Sequence, residues 1–223
     1  MELREALTTT PATRTFTDEP VSDTEIFRLL DVARFAPNGG NRQGWHVLVI
    51  RDPATREAIA SASAPTARRY VAQKAAGEQP LNTINPSRVD AATIETTELP
   101  AWTLEHYRAA PVLILVCVDL SVVASVDADL DRVGVISGAS IYPFAWSFLL
   151  AAREAGLGGV LTTMPVGGEP ELRKLLGIPS HVAIAAVIPL GRPATQVTKL
   201  RRGPVAEFAR LERWDGPALS GSD

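Results

Sequence analysis

At 223 residues the chain is long enough for one domain with a sizeable core, and its 46% hydrophobic and 21% charged residues are ordinary for a globular protein. A net charge of −3 gives no sign of the basic face that nucleic-acid binding needs. The single cysteine, Cys117, excludes an internal disulfide and a thiolate metal site, and the three histidines (His46, His106, His181) are scattered without metal-ligand spacing.

In chain order, the first element to read clearly is a helix. Ser22-Asp23-Thr24-Glu25 forms a capping box, in which Ser22 caps and Glu25 reaches back. Ile26, Leu29, Leu30 and Ala33 then line one helical face, and Pro37 and Gly39 end it. A loop of Gly and amide residues follows, Asn38-Gly39-Gly40-Asn41-Arg42-Gln43-Gly44, and runs directly into a strand over residues 45–50. Asp52-Pro53 starts a second helix expected to run to about Ser63. Residues 64–100 mix Ala, Thr, Pro, Asn and charge without a clean period, which reads as an irregular lid.

Residues 111–118 form a continuous apolar run and read as a central strand. Cys117 lies within that run and is expected to be buried and inert. Residues 133–152 carry no charge and are long enough to cross a bilayer, but their Gly, Ser, Tyr and Pro lower the hydropathy. A helix over about 133–155, buried on all sides and kinked at Pro143, is the better account. A short strand or loop is expected at 159–163, a short helix from Glu169 to Gly177, and a second buried strand over 182–190. From residue 193 onward the chain is polar and reads as an arm crossing a partner. The N-terminus lacks a signal-peptide pattern, so a cytoplasmic location is expected. Helices and strands interleave without a βαβ rhythm, which predicts a single α+β domain over 1–223. Gly156-Leu157-Gly158-Gly159 lacks the spacing of a dinucleotide or P-loop motif.

Four stretches carry chemistry, each with a plainer alternative. Arg14 offers a planar fork suited to a phosphate, or is a surface charge. The amides of Asn38, Asn41 and Gln43 match the mixed donor–acceptor edge of a planar ring, or simply make a tight turn. Thr162, Thr163 and Met164 follow a buried strand and would serve a ring or phosphate, or merely end the strand. Arg202, beside Arg201, closes on a phosphate or is a solvated charge. The sequence suggests no Ser/His/Asp or Cys/His set and no pair of proton-transfer carboxylates. That pattern fits an enzyme whose reactive atom belongs to a cofactor, so no catalytic side chain and no metal ligand is assigned.

Together these stretches resemble the FMN-dependent nitroreductase family. The resemblance rests on Arg-x-Phe-Thr-Asp-Glu-Pro-Val from Arg14 and Ala-Pro-Asn-Gly-Gly-Asn-x-Gln-x-Trp from Ala36. It continues through Gly-Leu-Gly-Gly-Val-Leu-Thr-Thr from Gly156, and through Leu190-Gly191-Arg192-Pro193. It implies an α/β/α sandwich around a mixed, mainly antiparallel sheet, in an intertwined homodimer with FMN at the interface and residues 194–223 as the arm. The long uncharged helix would be buried against the dimer mate rather than in a membrane.

The resemblance also implies roles for single residues. The stretch holding Thr10, Ala12 and Arg14 would grip the FMN phosphate and ribityl chain, helped by Arg202. Asn38, Asn41 and Gln43 would approach the flavin of the other subunit. Thr162, Thr163 and Met164 match a Thr-rich segment beside the ring in deiodinase-like relatives. The implied activity is NAD(P)H-dependent reduction of nitroaromatics, quinones or related small acceptors by a ping-pong mechanism. Alternatives are a flavin-binding store or redox sensor without efficient turnover, or a same-scaffold activity such as dehalogenation or flavin destruction. The sequence departs from the family at two places. Thr10, Pro11, Ala12 and Thr13 replace two positive charges and a serine, shifting the phosphate grip toward Arg202 or Thr10. Gly44 stands where proline is usual, which predicts a more mobile loop.

Overall fold

The computed structural model describes residues 1–221; Ser222 and Asp223, the last two residues of the expected arm, lie outside the described residues. In chain order the elements are α1 (Leu3–Thr9), α2 (Asp23–Ala33), β1 (Trp45–Ile50), α3 (Pro53–Ala75), α4 (Ala91–Thr96), α5 (Trp102–Ala109) and β2 (Val112–Asp119). They continue with α6 (Tyr142–Glu154), β3 (Gly158–Gly159), α7 (Glu169–Leu176), β4 (Val182–Gly191) and α8 (Val205–Phe208). The strands lie in the order β1-β2-β4-β3, every pairing antiparallel. This is the expected α+β sandwich.

β2 is the spine because it is apolar on both faces, as a strand covered on both sides must be. Val112, Ile114, Val116 and Val118 face α2 and α6. Leu113, Leu115 and Cys117 face α3, α5 and α7. Burial pushes the Cys117 thiol up to about 12, with the Glu169 charge adding to it, so the thiol is inert as expected. The β2–β4 register slips after Val116↔Ala186 to Cys117↔Ile184, leaving Ala185 as a bulge. The bulge is held from both faces: the Ile184 N–H donates to Glu169 Oε2 at 3.0 Å, and the Tyr142 hydroxyl donates to the Ala185 carbonyl at 3.4 Å.

The capping box forms as read. The Glu25 N–H donates to Ser22 Oγ and the Ser22 N–H to Glu25 Oε2. Two helix expectations are corrected. The second helix does not stop near Ser63: α3 runs on to Ala75 through Pro65, and α4 occupies a further part of the stretch read as irregular. Its buried residues (Ile59, Ala60, Ser63, Ala67, Ala72) keep helical spacing but are mostly small, so the apolar period is faint. Close packing replaces it: a Cβ at Gly168 would stand 2.8 Å from Ala62, and one at Gly167 would overlap Thr66. The uncharged stretch is also not one long helix. A 3-10 turn at Ile136–Ser140 precedes α6, and Pro143 sits in the first turn of α6, where its missing N–H costs nothing, rather than at a kink. Among the described residues, no helix is long and apolar enough to cross a membrane.

Candidate functional site

Arg14 lies on a short extended ribbon wedged between two neighbours. On one side the Thr13 N–H donates to the Gly159 carbonyl at 3.0 Å. On the other, residues 193–200 run antiparallel to it: Phe16 bridges Pro193, the Ala194 N–H donates to the Thr15 carbonyl, and the Leu200 N–H donates to the Thr8 carbonyl. The glycines beside the ribbon are there for closeness. A Cβ at Gly158 would lie 2.7 Å from Thr13 Oγ1, and one at Gly159 would lie 2.7 Å from the Pro189 carbonyl. Gly156 ends α6 in the left-handed conformation at φ 74°. The Gly-rich stretch is therefore a packing device for Arg14's ribbon, which its sequence spacing did not reveal.

Arg14 is exposed and forms no ion pair among the described residues; its closest bond is a long 3.5 Å contact to the Ala12 carbonyl. On α5, burial keeps His106 and Tyr107 neutral. The His106 imidazole is pushed down to about 4, first by burial and then by the Arg14 charge. Burial raises the Tyr107 phenol, against smaller opposing effects of Thr162, Ser63 and Arg14. The Tyr107 hydroxyl is bonded to Thr162 Oγ1 at 2.9 Å, and Thr162 itself pairs its backbone with Val187 of β4. Thr162 is thus tied to α5, while Thr163 is exposed and Met164 half-buried at the start of the next turn. An arginine with no ion pair among the described residues keeps its planar fork of donors free, and such a group fits an anionic cofactor such as FMN.

The remaining predicted residues divide. Thr10 is buried and its hydroxyl donates to the Ala6 carbonyl at 2.7 Å, closing α1; Ala12 is exposed on the ribbon. Arg202 is exposed and follows Leu200, whose bond to Thr8 carries the antiparallel tail past the ribbon to α1, so the structure does not bring Arg202 to Arg14. Asn38, Asn41 and Gln43 are not near Arg14. They precede β1 at one edge of the sheet, whereas Thr162 continues beyond β4 at the other, three strand spacings or about 14 Å away.

The amide loop is fixed, which corrects the expectation of mobility from Gly44. Gly44 is buried, its carbonyl accepts from the Asp119 N–H at 2.7 Å, and a Cβ there would stand 2.7 Å from Val122 Cγ2. The Gly39 N–H donates to Ser140 Oγ and Arg42 to the Val122 carbonyl. Asn38 Oδ1 accepts from the Gln43 N–H at 2.8 Å, and Trp45 stacks on Phe144 with centroids 4.9 Å apart. Asn41 (φ 54°) and Gln43 (φ 50°) both hold the left-handed conformation, strain of the kind stored where a loop presents groups to a ligand.

His106 and Tyr107 escaped sequence reasoning. Their one signal was position, a turn ahead of Pro111 and the buried strand. Two apolar hollows, with walls that do not include Arg14 or Thr162, lie on the outer side of α2 and α6. One of about 500 Å³ is walled by Phe27, Leu30, Trp45 and Phe144, and one of about 350 Å³ by Val32, Phe35 and Leu150.

The family model described as "Nitroreductase family" matches residues 8–192. An iodotyrosine deiodinase of Nematostella vectensis is 28% identical over 202 residues, covering 89% of this chain and 70% of that protein. An NADH dehydrogenase of Thermus thermophilus is 29% identical over 195 residues, covering 86% of this chain and 87% of that one. The crystal structure of an oxidized iodotyrosine deiodinase bound to FMN and 3-iodo-L-tyrosine superimposes with a TM-score of 0.68 at 23% identity, over 96% of this chain and 100% of that one.

Proposed function

The chain belongs to the nitroreductase family, and from that premise we propose that it is an FMN-dependent oxidoreductase acting in the cytoplasm as a homodimer. It takes hydride from NADH or NADPH and passes electrons to a small acceptor, a nitroaromatic or a quinone, in alternating half-reactions. The observation that supports this reading is Arg14, exposed and without an ion pair among the described residues, on a ribbon that the Thr13 N–H ties to Gly159.

When bound, FMN supplies the hydride-accepting and electron-donating chemistry. The chain's own residues hold and polarise it. Arg14 and the ribbon from Thr10 through Ala12 would hold its anionic part, with Arg202 on the tail as a further cation. Thr162, Thr163 and Met164 would contact the ring. Asn38, Asn41 and Gln43 lie at the far edge of the sheet, so they reach a flavin only from a second copy. That arrangement supports a site shared between subunits. Neither His106 nor Tyr107 is a ready acid near neutral pH, since burial keeps the imidazole unprotonated and makes the phenol hold its proton more tightly. Proton delivery is left to the acceptor and solvent.

Dehalogenation is the second reading, favoured because the deiodinase and the NADH dehydrogenase match this chain almost equally, at 28% and 29%. One experiment addresses both. The purified protein is reconstituted with FMN, reduced anaerobically with NADH or NADPH, and offered a nitroaromatic, a quinone and an iodophenol. Bleaching by the nicotinamide and fast reoxidation by the first two acceptors is the expected result. Iodide release favours dehalogenation. Flavin that binds but is reduced by neither nicotinamide points to storage or sensing, and failure to bind FMN removes the proposal.

A further inference from the structure

Thr162 sits at the edge of the sheet with its backbone already committed. Its N–H donates to the Val187 carbonyl at 3.0 Å, and its carbonyl accepts from the Val187 N–H at 2.9 Å. This bridge keeps the register of the β3–β4 ladder: Gly159 faces Leu190, and three residues further on Thr162 faces Val187. Between them Pro189, which has no N–H to offer, interrupts the ladder. The hydroxyl is the remaining polar group of Thr162, and the residue is half-buried, so its side chain lies at the boundary between core and surface.

Behind it stands Tyr107. The residue is 0% exposed and shares a buried cluster with Ile59, Ala60 and Leu172. Its helix is tied down at the C-terminal end, where Arg56 of α3 donates to the carbonyls of Arg108 and Ala110. From this fixed position the Tyr107 hydroxyl lies 2.9 Å from Thr162 Oγ1. A buried tyrosine normally finds a partner for its hydroxyl, and here the partner is a side chain 55 residues away at the sheet edge.

The chemistry of the two hydroxyls sets the direction of the bond. A phenol is a stronger acid than an aliphatic alcohol and so the better donor, while the alcohol oxygen is the better acceptor. Burial keeps the phenol protonated. Tyr107 therefore donates to Thr162. A threonine hydroxyl carries one proton and two lone pairs, so accepting from Tyr107 leaves its own proton free and turned away from the phenol.

We propose that Tyr107 is a positioning residue that holds the Thr162 hydroxyl as a hydrogen-bond donor toward the ring of a flavin at the sheet edge. This rests on the reading of Thr162 as a ring contact. Without the phenol, the threonine hydroxyl is free to rotate and to spend its proton on a nearby backbone carbonyl, as threonines commonly do. A preorganised donor is worth most where negative charge builds up, and a flavin is more electron-rich reduced than oxidised. The pair therefore favours the reduced state of the bound cofactor over the oxidised one. No proton is transferred and no covalent bond forms.

The test compares the binding of oxidised and reduced FMN, a ratio read as the reduction potential of the bound flavin in anaerobic equilibrium with a reference dye. The parent, Tyr107→Phe, Thr162→Val and the double variant are measured, each below its melting temperature. Each single variant is expected to lose about two- to tenfold in preference for the reduced state, the worth of one hydrogen bond, seen as a more negative potential. The double variant should lose no more than Thr162→Val alone, because both act through one hydroxyl. Thr162→Ser, which keeps the hydroxyl, should retain most of the preference. A merely structural contact would lower the melting temperature of Tyr107→Phe and leave the ratio unmoved; that result overturns the positioning role while the flavin reading stands. Losses that add in the double variant overturn it as well. Should Tyr107→Phe not fold, Thr162→Val and Thr162→Ser decide: a loss in the first that the second lacks supports the role, and an unshifted ratio in the first overturns it. A parent that binds FMN in neither state removes the flavin reading, and the positioning role with it.

Discussion

The residues that decide this site do so mostly by what they leave out. Gly158 lets the ribbon bearing Arg14 lie against β3, because a Cβ there would stand 2.7 Å from Thr13 Oγ1 and 3.1 Å from Thr13 Cβ. Gly158→Val is expected to displace Arg14 rather than unfold the chain. It should cost about 1–3 kcal/mol of stability, the usual range for overpacking, and weaken FMN binding at least as much as its effect on melting would suggest. Fluorescence titration of FMN at a temperature well below the melt separates the two effects, and unchanged affinity would free the ribbon of any role. Gly44 acts in the same way against Val122, so the glycine that looked like a hinge is a contact.

At the scale of elements, local chemistry and tertiary packing divide the control. α2 is a local event, begun by the Ser22–Glu25 box and continued by an apolar face of Ile26, Leu29 and Ala33. The Ser22 backbone N–H bond first, then its hydroxyl and Arg192, hold the Glu25 carboxyl below its ordinary 4.5, while burial opposes them. A depressed carboxylate stabilises the fold above its unfolded pKa, and that contribution fades as pH falls through the folded one. Ser22→Ala should therefore cost about 1 kcal/mol near pH 7. The gap between variant and parent should narrow below pH 4, which melting curves across pH 3–7 would reveal. A gap independent of pH would mean the box is only a hydroxyl cap. α3 shows the opposite control. Pro65 within it forfeits a backbone bond, yet the helix continues because its small residues press onto Gly167 and Gly168 and its inner face covers the sheet.

For the whole molecule, surface is the telling quantity. The chain exposes 13623 Å², against the roughly 9,900 Å² expected of a compact monomer of this size. The excess sits where apolar side chains stand uncovered: Phe27 and Phe35 on the outer side of α2, and the tail beyond residue 200, where Phe208 is 74% and Trp214 98% exposed. An interface of the obligate class covers areas of this order, which supports a second copy embraced by the arm. Phe35→Asp is expected to raise the dimer dissociation constant by about two orders of magnitude, as loss of a buried aromatic anchor does. Sedimentation velocity over a concentration series would show it. A variant as dimeric as the parent would place the interface elsewhere.

What the sequence determined alone was set by short-range chemistry. The capping box, the period of α2, the unbroken apolar run of β2 and the inert Cys117 each depend on neighbours within a few residues, and the ordered motifs carried the family. What only the tertiary structure decided depends on groups far apart in the chain. Thr13 lies 146 residues before Gly159, whose carbonyl its N–H meets, and the absence of an ion pair at Arg14 among the described residues cannot be read from either neighbourhood. The reach of α3 past Pro65 depends on glycines a hundred residues later. Asn38, Asn41 and Gln43 lie at the opposite edge of the sheet from Thr162 because β1 and β3 are separated by two strands, a separation that exists only once the sheet has formed.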